Sequence, residues 1–356
     1  MMLRLFTVVR TQMPLVALVL VLASALCMPS CVPSERVINP PESDWQLLAS
    51  TPDSSTRLVL INQPSNEIAS QNLFSVLGAN GIGGRVSKMV AFRENLYVLL
   101  PEQRRIEVLN AFDYRRRFTL NFAAQNRIPA DIAFANATTG YIAFSNGSVL
   151  GVIDLTALER GIISEIPVGS APIDLEVQDN QIYCALQRES AVAVIDSRTN
   201  TVTARIPVSA APTFLNIASN GRVLIVVGLG GGRVDASPRS VARATFVSLV
   251  NRTVLSSTPL SVQIDSLDQV PHGLVVTENN IAFVPINRSL VRLDARSFSR
   301  STGVSGIFRS ISYNPVRNEI LLADSLQRGC TIVDPETSEI RSTIPLPFRP
   351  VLLQSQ

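Results

Sequence analysis

The sequence predicts an all-β protein built from one repeated unit, and three observations support this. An apolar run ends in Ile-Asp at Asp154 and again at Asp196, and each run is followed by Ile-Pro-Val-x-x-Ala-Pro, ending at Pro172 and Pro212. The two aspartates lie 42 residues apart, and Pro129, Pro172 and Pro212 lie 43 and 40 apart. The runs are rich in Val and Ile, as in strands covered on both faces. This period is typical of four-stranded propeller blades.

Each unit resolves into four predicted strands separated by turn-forming residues. In the clearest copy the strands are Ile173–Val177, Gln181–Gln187, Ala191–Asp196 and Thr201–Val208. Asp179-Asn180 and a polar Ser-Arg-Thr-Asn segment separate them, as expected of tight turns. The other complete copies begin near Met89, Pro129, Pro212, Pro271 and Ile311.

Partial units remain at both ends of the repeat array. Val351–Leu353 is a lone strand without followers, whereas Arg57–Asn62 and Asn72–Val76 are strands without a leader. Joining these segments completes one further blade and removes the open edges of a linear stack. The sequence therefore predicts a seven-bladed β-propeller of four-stranded antiparallel blades over residues 57–356, closed by pairing N- and C-terminal strands in one blade.

The composition is that of a folded, weakly charged protein. Hydrophobic residues make up 46% of the chain and charged residues 17%, which does not indicate disorder. The formal net charge of +3 is too small to indicate a nucleic-acid-binding protein. Lys88 is the single lysine, so nearly all positive charge is arginine. Cys184 and Cys330 lie on well-separated repeats and are expected to be buried free thiols.

The first 31 residues are predicted to be an export signal. Arg4 and Arg10 precede an apolar run over 14–26 that is shorter than a membrane-spanning helix. Cys27 and Cys31 follow it, and Cys31 is the candidate lipid-bearing residue of a lipoprotein, with plain secretion as the alternative. Residues 32–56, which contain several prolines, are expected to be a tether. The expected location is the outer membrane or cell surface, or alternatively the periplasm or the medium, with a lipid anchor as the only membrane attachment.

The repeat resembles a known family of propellers. Ile-Asp followed by Ile-Pro-Val-Gly-x-x-Pro resembles the YVTN-type seven-bladed propellers of exported bacterial proteins, from Arg57 to Leu353. Asn95-Leu-Tyr-Val-Leu-Leu and Ile106-Glu-Val-Leu-Asn also resemble surface lipoprotein propellers of Bacteroidetes-type bacteria. Some of those capture cobalamin for an outer-membrane transporter. The resemblance therefore implies a propeller fold and makes a corrinoid the sharpest ligand candidate, although propellers host many unrelated activities.

Three long loops are predicted to gather on one face of the ring. They are residues 63–71, 228–243 and 261–270, each longer than its counterparts in other repeats. Long loops without secondary structure are uncommon unless they have a function, so this face is the predicted binding surface. Drift in a tolerant loop is the alternative. Arginines at the loop tips and between blades suit an anionic or amide-rich ligand, or simply solvate the loops. The candidate ligand-binding residues are Arg104, Arg188, Arg233, His272, Arg288, Arg309 and Arg328.

The third residue from the start of each inner strand is predicted to face a central channel. These residues are Lys88, Asp131, Asp174, Phe214, Gly273, Ser310 and Leu352. Asp131 and Asp174 occupy equivalent positions in neighbouring repeats and could share a cation or clamp hydrogen-bond donors. Two carboxylates are too few for a calcium site, which favours bound water over a metal.

His272 is the only histidine, which excludes a histidine-cluster metal site. It is either a hydrogen-bonded channel residue or a general base. Acidic or amide residues recur where the third strand of a repeat ends, and this recurrence predicts structural turn residues rather than catalytic ones. They are Asp154, Asp196, Asp294 and Asp334, with Asn110 and Asn251.

The sequence therefore favours a non-enzymatic, monomeric binding protein without a resident cofactor. Its partner would be a small molecule, with a corrinoid as one possibility, or an outer-membrane transporter. A lactonase-like hydrolase that uses His272 is the first alternative, and a structural protein-docking propeller is the second.

Overall fold

The first strands of the fold lie closer to the N-terminus than the sequence indicated. The computed structural model describes residues 45–50, 57–62, 67–70, 82–230, 241–260, 271–286, 288–324, 326–346 and 348–355. These residues fall within one compact unit, Ile38–Gln356. β1 (Trp45–Ser50), β2 (Arg57–Asn62) and β3 (Glu67–Ser70) come first. β1 therefore lies inside the 32–56 segment for which a tether was predicted.

Six sheets of four consecutive antiparallel strands follow, and we call these sheets blades. Blade 1 contains β4 (Lys88–Phe92), β5 (Asn95–Leu100), β6 (Arg105–Asn110) and β7 (Arg116–Asn121). Blade 2 contains β8 (Pro129–Phe134), β9 (Thr139–Phe144), β10 (Val149–Asp154) and β11 (Ile162–Pro167), with a 3-10 helix at Leu158–Arg160. Blade 3 contains β12 (Pro172–Gln178), β13 (Gln181–Leu186), β14 (Ala191–Asp196) and β15 (Thr201–Pro207).

The other three blades repeat this order. Blade 4 contains β16 (Pro212–Ile217), β17 (Val223–Gly228), β18 (Arg243–Ser248) and β19 (Thr253–Pro259). Blade 5 contains β20 (Val275–Val276), β21 (Ile281–Ile286), β22 (Ser289–Asp294) and β23 (Arg300–Ser305). Blade 6 contains β24 (Phe308–Asn314), β25 (Glu319–Asp324), β26 (Gly329–Val333) and β27 (Ile340–Pro345). The last strand is β28 (Pro350–Ser355).

The predicted seven-bladed ring is corrected by this strand order. The described residues form six blades of four consecutive antiparallel strands, and the remaining sheet, here called the terminal sheet, has the order β28–β1–β2–β3. Its composition also differs from the blade that was predicted: β28 pairs with β1, so that Arg57–Asn62 is the third strand rather than the second. β1 was missed because its short Trp-Gln-Leu-Leu-Ala-Ser run follows a proline-rich segment. The predicted strand Asn72–Val76 lies outside the described residues.

Burial explains the composition of the strands within each blade. The second and third strands are almost fully buried, as in β13 and β14, because they are covered by neighbouring sheets on both faces. The fourth strand alternates between exposed and at least half-buried residues, as in β15, because its outer edge meets solvent. Separate apolar clusters fill the spaces between successive sheets, and the terminal sheet packs against both blade 6 and blade 1 through Ile61, Leu353 and Leu352.

The recurring acidic residues are confirmed as turn residues. The Oδ1 atoms of Asp154, Asp196, Asp294 and Asp334 each accept a hydrogen bond from the backbone N–H two residues later, over 2.7–2.9 Å. The side chain of Asn110 does the same. The equivalence predicted for Asn251 is wrong, because Ser248 occupies the turn position in blade 4 and accepts the N–H of Asn251. Asx-type bonding of this kind fixes a tight turn.

Cys184 and Cys330 are confirmed as buried free thiols. Cys27 and Cys31, together with the predicted signal and most of the predicted tether, lie outside the described residues. Within the described ranges, no helix has the length and apolar character needed to cross a bilayer.

Candidate functional site

The inner strands of the six blades and of the terminal sheet surround one central channel. The cavity has a volume of about 770 Å³ and receives residues from β4, β12, β16, β20, β24 and β28, with Ala130 contributed by β8. We call the face at which these inner strands begin the upper face. β-bulges near the start of β8, β12, β16 and β24 offset the register there. A bulge re-aims the side chains that follow it, which here brings the third residue of the strand into the channel.

Six of the seven predicted channel residues line the cavity. They are Lys88, Asp174, Phe214, Gly273, Ser310 and Leu352. The seventh, Asp131, is only 1% exposed and is covered by the side chain of Lys88, which reaches it from blade 1. The third residues of the inner strands therefore form this layer of the channel wall, as predicted, with Asp131 behind Lys88.

Lys88 is the cation that the two aspartates share. Its Nζ lies 2.7 Å from Oδ1 of Asp131 and 2.8 Å from Oδ1 of Asp174. The three side chains come from blades 1, 2 and 3, so the only lysine of the chain links three blades at the channel wall. Its side chain is 38% exposed to the channel, whereas both aspartates are buried.

Both aspartates also bind the next blade through their second carboxylate oxygen. Oδ2 of Asp131 accepts the backbone N–H of Leu175 at 2.8 Å, and Oδ2 of Asp174 accepts that of Leu215 at 2.7 Å. Oγ of Ser310 accepts the N–H of Leu353 in the same way at 3.1 Å. The third residue of the inner strand therefore connects each of these sheets to the following one.

We expect Ser310→Ala to destabilise the protein by about 1–3 kcal/mol, because the buried N–H of Leu353 loses its acceptor. Urea denaturation of the two proteins measures the difference. Ser301→Ala, on the exposed outer strand of blade 5, is the control and should change stability by less than about 0.5 kcal/mol. A loss at Ser310 no larger than that of the control would show that this bond contributes nothing to closing the terminal sheet.

The network shifts the protonation of its members. Burial raises the pKa of Asp131 to about 7, although the charge of Lys88 opposes the shift and that of Asp174 adds to it. Burial alone would lower the pKa of Lys88, but attraction to Asp131 and Asp174 outweighs it and the pKa is raised. Lys88 is therefore charged at neutral pH.

Glu176 is a further carboxylate in the channel, and it was not among the residues predicted from the sequence. It lies two residues after Asp174 on β12, so it points to the same side of the strand and lines the cavity. Burial raises its pKa to about 8, with a further contribution from the charge of Asp174. Alternation along β12 was the available signal, since it places Glu176 directly after Asp174 on the channel wall.

The remainder of the channel wall combines apolar and mostly uncharged polar side chains. Phe214 on blade 4, Val275 on blade 5, Ile311 on blade 6 and Leu352 on the terminal sheet line the cavity. Apart from Arg309 on blade 6, the charged side chains that line the cavity come from blades 1 and 3. The channel thus has a charged wall and a mostly uncharged wall that is partly apolar, and small-molecule sites likewise combine apolar surface with a few polar groups.

His272 and Arg309 are brought together at the upper mouth. Arg309 is the second residue of β24, His272 lies three residues before β20 in the adjacent blade, and both line the cavity. Burial lowers the pKa of His272 and the charge of Arg309 lowers it further, so His272 is neutral at pH 7. The mouth also contains Arg85 and Glu102.

The other predicted arginines lie on the upper face but outside the channel lining. Arg104 is half-buried in the loop after β5, whereas Arg188, Arg288 and Arg328 are exposed in the equivalent loops of blades 3, 5 and 6. Arg233 lies outside the described residues. The structure therefore unites His272 and Arg309 and leaves the other described candidates on the outer rim.

The prediction of three long loops on one face is wrong for residues 63–71. Four of these residues, Glu67–Ser70, form β3. Because Arg57–Asn62 is the third strand of the terminal sheet, Asn62 and Glu67 lie at the face opposite the upper face. Most of the loop 228–243 and all of 261–270 lie outside the described residues.

The described residues contain no group of three or more His, Cys, Asp or Glu side chains placed to hold a metal ion. Asp131 and Asp174 do converge, but Lys88 occupies the position between their carboxylates. Arg127, another arginine on an inter-blade link, pairs with Glu165 at 2.7 Å and covers the ring of Phe144. It therefore has a structural role between strands of blade 2.

Comparison with known proteins supports the fold alone. No family model and no curated protein matches the sequence. A solved protein of unknown function from Desulfotomaculum acetoxidans is similar, with a TM-score of 0.62, 10% identity, and coverage of 85% of this chain and 95% of that one. Hydrazine synthase from Kuenenia stuttgartiensis has a TM-score of 0.59 at 13% identity, covering 73% of this chain and 86% of that one.

A chain of the mitotic checkpoint complex is similar to the same degree. Its TM-score is 0.59 at 13% identity, with coverage of 73% of this chain and 77% of that chain. The three proteins have unrelated descriptions, as expected of a scaffold whose function depends on its site rather than on its fold. The β-propeller is thus shown, whereas the resemblance to YVTN-type and lipoprotein propellers stays a prediction.

Proposed function

We propose that this β-propeller is an exported, non-enzymatic binding protein that holds a small molecule in its central channel. The observation that carries the proposal is the channel itself, a cavity of about 770 Å³ with a charged wall and a mostly uncharged wall that is partly apolar. Pockets for small molecules have volumes of about 300–1,000 Å³ and combine apolar surface with a few fixed polar groups. This channel has both properties.

The charged wall is held in place before any ligand arrives. Lys88 is fixed by two ion pairs, and Asp174 is fixed by the N–H of Leu215. A ligand that binds here loses little free energy to ordering of the protein. His272 lies near the cation Arg309 and is neutral. A neutral imidazole can donate a hydrogen bond to a ligand at the mouth or accept one from it.

The proposal extends to the location and partners of the protein. Export follows from the apolar N-terminal run, and attachment by Cys31 to the outer membrane would place the channel at the cell envelope. An outer-membrane transporter would then be the partner that receives the ligand. A corrinoid is the ligand that the resemblance to lipoprotein propellers implies, and it belongs among the compounds tested first.

We expect Ala130→Trp to abolish binding of any channel ligand. Ala130 is half-buried at the upper mouth and lines the cavity, so an indole there fills the opening. A thermal-shift screen of the purified protein against corrinoids and a general metabolite panel identifies a ligand, and the same ligand should give no shift with the variant. Thr201→Trp, on the exposed outer strand of blade 3, is the control and should bind normally.

Two results would contradict this proposal. One is that no compound raises the melting temperature at saturating concentration. The other is that the ligand found binds Ala130→Trp and the wild-type protein equally, which would place its site elsewhere. A shift with other ligands but none with corrinoids would remove the corrinoid and retain the channel.

A further inference from the structure

The channel wall around Lys88 carries one carboxylate more than this lysine pairs. Lys88 is engaged by Asp131 and Asp174, each within 2.8 Å of its Nζ. Glu176 lines the cavity on the same wall, and its protonation is shifted by burial and by the neighbouring aspartates. Three acidic side chains and one lysine give this wall a charge of −2 when all are ionised. An ionised group in such a site is costly unless a partner compensates it.

The arginines of the mouth do not provide that compensation. Arg309 is the second residue of β24, whereas Glu176 is the fifth residue of β12, counted from Pro172. Three residues along a β-strand correspond to about 10 Å. Arg309 acts on His272, while the charges that act on Glu176 are those of Asp174, Lys88 and Asp131.

The surface around Glu176 is suited to an organic cation rather than to a metal ion. Its neighbour on blade 4 at the same level is Asn216, and Phe214 lies two residues before Asn216 on the same strand face. An ammonium group can donate hydrogen bonds to a carboxylate and an amide oxygen, and it is also attracted to an aromatic face. The two aspartates are already occupied by Lys88, so a metal ion would lack the oxygen ligands it needs.

We infer that the channel ligand is an amine that is protonated at neutral pH and carries an apolar body, with its ammonium group at Glu176 and its body on Phe214, Val275 and Leu352. This inference rests on the proposed function and names the chemical class of its ligand. Binding of a cation stabilises the ionised form of Glu176. Because the pKa of that carboxyl is raised to about 8 in the free protein, binding at pH 7 releases a proton.

Phenethylamine and phenethyl alcohol are a matched pair of probes, since they share an aromatic body and differ in charge. Calorimetric titration of the full chain should show binding of the amine at least tenfold tighter than binding of the alcohol. Titrations at pH 7 in two buffers of different ionisation enthalpy should reveal a proton released with the amine only. The affinity for the amine should rise from pH 6.5 to 8.5, as Glu176 loses its proton.

Glu176→Gln keeps the shape of the side chain and removes its charge. It should weaken amine binding at least tenfold, eliminate proton release and leave alcohol binding unchanged. Asp179→Asn is the control because it removes a charge from an exposed turn of the same blade, and asparagine tolerates the positive φ of 49° found there. Its affinity should stay within twofold of wild type, and the melting curves of both variants confirm that they are folded.

Equal binding of the amine by wild type and Glu176→Gln would overturn this inference, as would equal affinity for the amine and the alcohol. If neither probe binds but another compound binds the wild-type protein and not Ala130→Trp, the ligand class is wrong and the channel proposal stands. If no compound binds in either assay, the channel proposal fails as well.

Discussion

A chain that begins at Thr51 should fail to fold, whereas a chain that begins at Ile38 should melt like the full-length protein. The first of these lacks β1, which pairs with β28 over five positions and with β2 over six. Its removal leaves two strands of the terminal sheet with unpaired edges and uncovers apolar residues such as Val59 and Leu353. Unpaired strand edges also promote aggregation.

Circular dichroism, thermal melting and size-exclusion chromatography distinguish the two chains. We expect no cooperative transition and a large aggregated fraction for the chain beginning at Thr51. The chain beginning at Ile38 is the control, since it lacks the signal and part of the predicted tether but keeps β1. Cooperative melting of the shorter chain at an unchanged temperature would show that β1 does not close the fold.

Lys88→Met should destabilise the protein by about 3 kcal/mol at pH 8. Methionine fills a similar volume but leaves Asp131 and Asp174 without their cation. Removing one partner of a buried ion pair costs roughly 3–5 kcal/mol, and we expect the low end because the channel exposes 38% of the lysine side chain. Urea denaturation measures the difference, and Arg288→Met, which removes an exposed rim cation, should cost less than about 0.5 kcal/mol.

The cost of Lys88→Met should decrease as the pH falls. The pKa of Asp131 is raised by burial to about 7 in the folded wild-type protein, against about 4 for an unfolded aspartate. Between these values the folded state binds more protons than the unfolded state, so this group lowers stability as the pH rises from 4 to 7. Without Lys88 the pKa of Asp131 rises further, because the charge that lowered it is gone. The loss of folding stability then continues to higher pH.

A difference between wild type and Lys88→Met that is the same at pH 5 and pH 8 would contradict the electrostatic explanation. The double variant Lys88→Met/Asp174→Asn provides an independent check, because it removes one of the two uncompensated carboxylates. We expect it to recover part of the stability lost by the single variant. No recovery would indicate that the lysine acts through packing of its methylene groups alone.

The repeat pattern was sufficient to predict most of the architecture. Apolar runs separated by turn residues identified the strands of the six blades, and the acidic residues after the third strand were correctly interpreted as turn formers. The register of the inner strands also predicted which residues face the channel. These features depend on short-range periodicity, so a single sequence displays them directly.

The ends of the array were predicted less well. β1 has few β-branched residues and follows several prolines, so local pattern did not separate it from a tether. Because β1 was not predicted, Arg57–Asn62 was assigned as the second strand of its sheet, although it is the third. The loop that follows was therefore predicted on the wrong face. An error in one strand reverses the direction of every later connection in the same sheet, because neighbouring strands are antiparallel.

The sequence by itself determined the four-stranded unit, its turns and the residues of the channel-facing layer. Side chains alternate along a strand, so the order of residues shows which of them share a face. Only the tertiary structure decided that Lys88 is the cation between Asp131 and Asp174, that Glu176 stands beside them, and that β1 lies between β28 and β2. The pairing of β1 with β28 and β2 joins segments that are far apart in the chain, and the ion pairs of Lys88 join residues from different sheets. Their distances depend on how the sheets pack around the channel, which no local pattern encodes.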